Sequence, residues 1–240
     1  MIDIHTHILP GIDDGPKDID ASIELLRDAA MQGIGTVFAT PHFIRGLYEP
    51  TVKKIKRAFC SLQARINAES IPIELIGGLE IGIESEIEGR ELKKHSLNEG
   101  KYVLLELPFV AYSLNCEERI FWYQSQGVIP IIAHPERAFS IMKQPDKLKD
   151  WKRRGILIQI NSKSLIGRYN KVVKKLAIRI LKQGLVDFVA TDTHSRKWGF
   201  DFQEVRPILE RLVGKHKTDD LLEHNARRLL LTEKIDAMTQ

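Results

Sequence analysis

Two cysteines in 240 residues, Cys60 and Cys116, rule out a disulfide framework or a zinc site built from thiolate alone. Any metal must be held by nitrogen and oxygen. Long hydrophobic runs are missing too. The apolar stretches at 128–133 and 185–190 stop well short of the roughly 20 residues a bilayer needs, so no membrane insertion is expected. Asp3 and His5 follow the first methionine at once, so no secretory leader is expected and the cytoplasm is the default compartment. Aromatics make up only 7% of the chain, and its basic residues are scattered through helical segments. The net charge of +4 therefore does not amount to the concentrated, aromatic-interleaved patch of a nucleic-acid binder. It reads as solvated helix faces with a mild bias toward phosphate-bearing ligands. No Gly-x-x-x-x-Gly-Lys loop is present, which excludes nucleotide hydrolysis of that kind. A cysteine-dependent phosphatase is excluded as well. Cys60 lies on an apolar-periodic helix with four residues between it and Arg65, and Cys116 precedes Glu117 and Glu118, whose charge raises a thiol pKa.

What the chain does contain is an ordinary globular composition, 43% hydrophobic and 28% charged, with length for one substantial core. One domain, residues 1–240, is the economical reading. Apolar runs of strand length recur at 2–5, 36–40, 73–81, 102–107, 128–133, 156–160 and 186–191. Several are continuous Val, Ile and Leu, as in parallel strands covered on both faces. Helical patterns stand between them. Ile19, Ile23, Leu26 and Ala30 keep helical spacing, and Gly33 stands where that helix should stop. Val52, Ile55, Phe59, Leu62 and Ile66 step by three and four behind Thr51, a capping residue. Segments 117–126, 145–154, 171–183 and 201–213 supply later crossovers, and a last helix is expected over about 219–231. Such alternation implies parallel strands with right-handed crossovers, in an open sheet or a closed barrel.

The polar residues favour the barrel. His5 and His7, two apart on a strand, share one side as the first run ends. His42 follows the second run in Thr40-Pro41-His42, Glu80 lies near the end of the third, and Glu106 ends the fourth. His134 ends the fifth, Asn161 the sixth, and Asp192 with His194 the seventh. Loops from every strand of a barrel meet at its C-terminal end, whereas an open sheet would hold its edge strands too far apart to share a pocket. Imidazoles and carboxylates without thiolate suit borderline divalent ions, and carboxylates can bridge two of them. His5, His7, Asp14, His42, Glu80, Glu106, His134, Asp192 and His194 are nine candidates, too many for one ion. Singly, each has a plain alternative: His42 can satisfy a turn, Asp13-Asp14-Gly15 is good turn chemistry, and either glutamate can pair with a lysine. Jointly those alternatives fail, because ionisable residues are rarely buried without partners. His95, His216 and His224 sit in polar loop or helix contexts and stay outside the expected site.

The stretches MIDIHTHILP at 1–10, Asp13-Asp14-Gly15, Ala39-Thr40-Pro41-His42, Gly78-Leu79-Glu80-Ile81, His134-Pro135-Glu136-Arg137 and Thr191-Asp192-Thr193-His194 carry a resemblance. The chain resembles the PHP (polymerase and histidinol phosphatase) superfamily, and within it the CpsB/YwqE-like bacterial protein-tyrosine phosphatases, from residue 1 to about 231. That resemblance implies an α/β fold, a distorted seven-stranded TIM-like β/α barrel, with three divalent ions, manganese first and iron, cobalt or zinc as alternatives. It implies His5, His7, Glu80 and Asp192 on one ion, Glu80, Glu106 and His134 on a second, and Asp14, His42 and His194 on the third. Thr191-Asp192-Thr193-His194 departs from a common Ser-Asp-Ala-His without losing a ligand. A basic residue is expected beyond the last histidine, where Arg196 and Lys197 stand. The implied activity is phosphoric monoester hydrolysis of phosphotyrosine on a cytoplasmic bacterial tyrosine kinase that regulates capsule or exopolysaccharide synthesis. Alternatives are histidinol-phosphate phosphatase and a catalytically silent metal-binding module.

Arg137, Asp14, His42 and His194 form the expected catalytic set. Arg137 follows His134-Pro135-Glu136 and offers a planar fork to a phosphoryl oxygen, or else a salt bridge at the barrel rim. Phe43, Arg45, Tyr48, Phe109 and Tyr112 are candidates to flank an aromatic ring.

Overall fold

The structure, a computed structural model, describes residues 1–110 and 115–231. Its strand segments are β1 (Ile2–Thr6), β2 (Thr36–Ala39), β3 (His42–Phe43), β4 (Glu74–Gly77), β5 (Glu80–Gly82), β6 (Tyr102–Glu106), β7 (Ile129–Ala133), β8 (Leu157–Asn161) and β9 (Phe188–Ala190). The helices are α1 (Ile19–Met31), α2 (Val52–Ala68), α3 (Gly89–His95), α4 (Cys116–Ser125), α5 (Phe139–Lys143), α6 (Lys147–Arg153), α7 (Ser162–Ile166), α8 (Lys171–Lys182), α9 (Phe202–Val213), α10 (Lys215–Asp219) and α11 (Asn225–Leu230). The seven expected strand runs are all present. The short helices α3, α5, α7 and α10 were not visible in the periodicity, because five to seven residues complete too few turns to show one.

All strand pairs are parallel, in two hydrogen-bonded runs ordered β1-β2-β4 and β3-β5-β6-β7-β8-β9. The second and third barrel strands are each broken once, which is the distortion. Pro41 interrupts β2 and β3, since it has no N–H to give the ladder. Gly77 and Gly78 interrupt β4 and β5, where a Cβ on Gly78 would stand 2.6 Å from Leu97. Pairing continues across the bend through Gly78 N–H to Ala39 O at 3.1 Å and Glu80 N–H to Pro41 O at 3.1 Å. The ring closes where Asp192 N–H donates to His5 O at 3.0 Å and His7 N–H donates to Thr193 O at 2.9 Å.

Caps set the helix starts. The Asp18 carboxylate accepts from Ala21 N–H at 2.9 Å, Thr51 Oγ1 from Lys54 N–H at 3.3 Å, and Asn170 Oδ1 from Val172 and Val173 N–H at 2.9 Å each. The large core cluster lies between these helices and the strands, including Leu26, Val37, Leu62, Val103, Ile132, Ile158 and Val205. A second cluster joins Phe38, Leu104, Ile131 and Phe188 to Ala226 and Leu229. Leu104 shares a strand face with Glu106, so this cluster is the apolar floor beneath the polar end.

The C-terminal segment differs from the single helix expected over 219–231. It begins at Lys215 and widens into a π turn at Asp220–His224, where the consecutive Leu221 and Leu222 are both buried. It ties down the loops that enter the strands. Asn225 Nδ2 donates to Asp187 O at 2.8 Å, and Asn98 Nδ2 donates to Leu229 O at 3.2 Å. Among the described residues no helix is long and apolar enough to cross a membrane.

Phe188 is fully buried in that floor, whereas Phe121 is 65% exposed. Phe188→Ala should therefore lower unfolding free energy by about 3–5 kcal/mol in a urea or guanidinium titration. Phe121→Ala should change it by less than about 1 kcal/mol. Equal effects would contradict a packed barrel interior.

Candidate metal centre

The exit of β1 sets the centre. His5 Nδ1 lies 3.0 Å from Gln159 Oε1, and His7 Nδ1 lies 2.7 Å from Asp13 Oδ2. Both acceptors require a proton on Nδ1, which in the neutral ring leaves each Nε2 as a lone pair. Those two lone pairs face each other at 3.2 Å. Glu80 Oε2 stands 3.2 Å from His5 Nε2 and 3.3 Å from His7 Nε2, and Asp192 Oδ1 stands 3.5 Å and 3.4 Å from the same atoms. Both carboxylates thus converge on the two nitrogens. Donors about 2.0–2.2 Å from one ion at tetrahedral angles stand about 3.3–3.6 Å apart, close to the separations within His5, His7 and Glu80.

The other candidates extend the cluster outward. Glu80 Oε1 meets His134 Nε2 at 2.8 Å, and Glu106 Oε1 stands 3.8 Å from that nitrogen. His42 Nδ1 lies 2.9 Å from Glu80 Oε2 and 3.7 Å from Glu106 Oε2. Asp14 Oδ1 lies 3.4 Å from His194 Nε2 and 3.8 Å from His42 Nε2. Four overlapping groups have donor atoms within 4.8 Å of one another: His7, Asp14, His42 and His194; His5, His134 and Asp192; His5, His7 and Glu80; His42, Glu80 and Glu106. All nine residues are therefore brought together in one cup.

Backbone geometry aims these side chains. His134 and Asp192 adopt left-handed φ values of 30° and 53°, uncommon for residues with a Cβ. Gly15 has no freedom to be anything larger, since an added Cβ would lie 2.1 Å from His7 O. That close approach seats Asp13 beneath His7 and carries Asp14 to His194.

Charge in the cup is unbalanced toward acceptors. Burial alone would favour neutral Glu80, yet the imidazoles of His5 and His42 hold its carboxyl well below the usual range. Burial disfavours protonated His5, but the charges of Glu80 and Asp192 outweigh it and raise its pKa. Glu106 is pushed up to about 9 by burial, then by the charges of Glu80 and Asp192. Two buried atoms, Glu80 Oε2 and His42 Nδ1, have no hydrogen bond of acceptable geometry. Acceptors crowded this way, two of them orphaned, complement a cation.

A supporting layer was only partly read in the sequence, which marked Asn161 at its strand end but not Gln159. Asn161 Nδ2 donates to Asp192 Oδ2 at 2.7 Å, and Gln159 Nε2 donates to Asn161 Oδ1 at 2.9 Å. The signal was available: Gln159 and Asn161 alternate with Ile158 and Ile160 in an otherwise apolar strand. Arg137 Nη1 donates to the same Asp192 Oδ2 at 2.8 Å, with its guanidinium 4.4 Å from both the Phe109 and Tyr169 ring centres. Tyr169 had no marker in sequence.

A cleft of about 390 Å³ opens beside the cup, lined by Asp14, His42, Arg45, Tyr48, Glu106 and Phe109. Tyr48 stacks on His42 with ring centres 5.4 Å apart. Phe43 is not a cleft residue; it packs against the core and stacks near the buried His95. Tyr112 lies outside the described residues. Arg196 pairs with Glu24 at 3.0 Å and Lys197 lies over Trp198, so neither contacts the cup. His216 and His224 both pair with Asp220.

A closed, distorted β/α barrel with imidazoles and carboxylates pooled at the C-terminal ends of its strands defines a PHP-like protein. The family model for capsular polysaccharide synthesis, CpsB/CapC, matches residues 1–231, and the chain belongs to that family. Its relatives include the tyrosine-protein phosphatase YwqE of Bacillus subtilis, 39% identical over 238 residues, covering 98% of this chain and 93% of YwqE. The putative tyrosine-protein phosphatase CapC of Staphylococcus aureus is 36% identical over 236 residues, covering 95% and 92%. A crystal structure from work on YwqE of Bacillus subtilis and CpsB of Streptococcus pneumoniae, metal-dependent tyrosine phosphatases, superposes with a TM-score of 0.89 at 38% identity, covering 97% of this chain and 95% of that one.

Neither cysteine lines the cleft. Cys60 is exposed on α2, and Cys116 is buried, its thiol pushed up to about 12 by burial and then by the charge of Glu117. A thiol reagent at pH 8 should titrate one group in the native protein and two in denaturant, counted by absorbance. Loss of hydrolytic activity in step with the native thiol would contradict a cysteine-free site.

Proposed function

We propose that the protein is a metal-dependent tyrosine-protein phosphatase, and the observation that carries this reading is the convergence of Glu80 Oε2 and Asp192 Oδ1 on the paired His5 Nε2 and His7 Nε2, each within 3.2–3.5 Å of both nitrogens. His5, His7, Glu80 and Asp192 would hold one divalent ion, Glu80, Glu106 and His134 a second, and Asp14, His42 and His194 a third. Manganese is the favoured ion, with iron, cobalt or zinc as alternatives. When bound, such ions lower the pKa of water and neutralise phosphoryl oxygens.

The chain's own groups do the rest. Asp13 and Gln159 fix the tautomers of His7 and His5 and so keep each Nε2 available. Arg137, clamped between Phe109 and Tyr169 and anchored by one nitrogen on Asp192, presents its remaining N–H groups to a phosphoryl oxygen of the substrate. Tyr48 and Phe109 offer ring faces in the cleft to an aromatic side chain. Asp14, His42 and His194 complete the catalytic set at the outer edge of the cup. The substrate is phosphotyrosine on a cytoplasmic tyrosine kinase that regulates capsule or exopolysaccharide synthesis. Family membership and the names of the relatives support that assignment.

Purified protein loaded with manganese should release phosphate from a phosphotyrosine peptide, lose that activity in chelator, and regain it when the ion is returned. Turnover on histidinol phosphate should be far slower; the opposite ranking would make the protein a small-molecule phosphatase. No release from any aryl phosphate would make it a silent metal-binding module.

Arg137→Ala should lower kcat/KM on the phosphotyrosine peptide by about 10–100-fold with metal content unchanged, since it removes a charge-assisted bond of roughly 1.5–3 kcal/mol. Unchanged turnover at full metal content would leave Arg137 as a rim salt bridge alone.

A further inference from the structure

Outside the cup, one other cavity has a chemical character of its own. It is a groove of about 410 Å³ between α5 and α8, with Met142, Pro145 and Val172 on its apolar side and Lys171, Lys175 and Arg179 along it. Val172 is 62% exposed at the groove. The three cations stand four residues apart on one helix, so they form a single stripe. Among the described residues none of them has an ion pair within 4.0 Å, although Arg179 lies near enough to Asp146 to act on its carboxyl. Asp146 itself is bridged to Lys149 at 2.9 Å. Several cations on neighbouring surfaces are paired: Lys152 with Asp187 at 2.6 Å, Arg154 with Glu117 at 2.8 Å, and Arg168 with Glu204 at 2.7 Å.

Both walls of the groove are joined through the chain to the mouth of the cup. On one wall, α5 follows the turn that carries Arg137, and Phe139 N–H donates to Phe109 O at 3.0 Å. On the other, Lys171 comes two residues after Tyr169, the ring that stacks on Arg137. Four residues of helix rise about 6 Å. Two residues of extended chain advance about 6.6 Å, so side chains at alternate positions of an extended peptide match the cation spacing.

We propose that this groove docks an acidic, extended stretch of the phosphoprotein substrate that flanks its phosphotyrosine, with carboxylates at alternate positions meeting Lys171, Lys175 and Arg179 and apolar side chains between them resting on Met142 and Val172. The inference rests on the phosphatase reading of the cup and adds a specificity surface to it.

The test uses the full, manganese-loaded chain and three substrates: p-nitrophenyl phosphate, a phosphotyrosine peptide with Asp at alternate flanking positions on both sides, and the same peptide with Gln in place of Asp. Wild-type KM should be about tenfold lower for the acidic peptide, as expected for three exposed ion pairs. The combined variant Lys171→Gln, Lys175→Gln, Arg179→Gln should erase that difference while kcat and p-nitrophenyl phosphate turnover stay unchanged. Fluorescence anisotropy of the unphosphorylated acidic peptide should show binding to wild type and none to the variant. Equal KM values for the two peptides in wild type, or an advantage that persists in the variant, would overturn the proposal. So would loss of binding to phosphatidylglycerol vesicles in the variant without peptide discrimination, which would make the surface a membrane contact, or a wild-type dimer that the variant dissociates in sedimentation. If no phosphate is released from any substrate, the phosphatase reading fails, and anisotropy alone then settles whether the groove takes an acidic chain.

Discussion

Two imidazole lone pairs, held 3.2 Å apart by protons that Gln159 and Asp13 pin to the far side of each ring, are the constraint on which the cup depends. Nitrogen lone pairs at that distance repel, and two carboxylates placed within 3.5 Å of them add to the repulsion. A fold tolerates such a cluster only when the surrounding structure over-determines it or a cation compensates it. Both conditions have a physical basis in this chain. Parallel pairing fixes the strand ends, and the donors of His5, His7 and Glu80 lie close enough to share one cation.

The barrel converts a one-dimensional list of residues into that geometry. Each strand contributes from its C-terminal end, and closure through His5 O and Asp192 N–H brings the first and last strands into register, although His5 and Asp192 stand 187 positions apart in the chain. Below the cup, Phe38, Leu104, Ile131 and Phe188 fill the interior without polar atoms. The low-dielectric floor excludes water from one side of the cluster and strengthens every electrostatic interaction above it. The C-terminal helical segment seals the opposite end. Chemistry and stability thus occupy opposite ends of the same cylinder, as the fold type predicts.

Arg137 shows how one residue can serve both ends of the argument. Its salt bridge to Asp192 is real at 2.8 Å, and its guanidinium is also stacked between two rings at the mouth of a cleft. A rim salt bridge and a phosphate donor were alternatives in the sequence. In the structure they are compatible, because a guanidinium carries five N–H groups and Asp192 engages Arg137 through one nitrogen.

Strand number, strand order along the chain and the gathering of nine candidate donors were legible in the amino-acid sequence, because apolar runs mark buried parallel strands and an ionisable residue at the end of such a run has few other reasons to be there. The breaks at Pro41 and Gly78, the tautomers set by Asp13 and Gln159, the place of Tyr169 and the divergence of Phe43 from the cleft were decided by tertiary structure alone. Each depends on a contact between segments distant in the chain: Gly78 with Leu97, His5 with Gln159, Tyr169 with Arg137, Phe43 with His95. Local pattern reports which face of an element is buried, and only the closed barrel determines what that face meets.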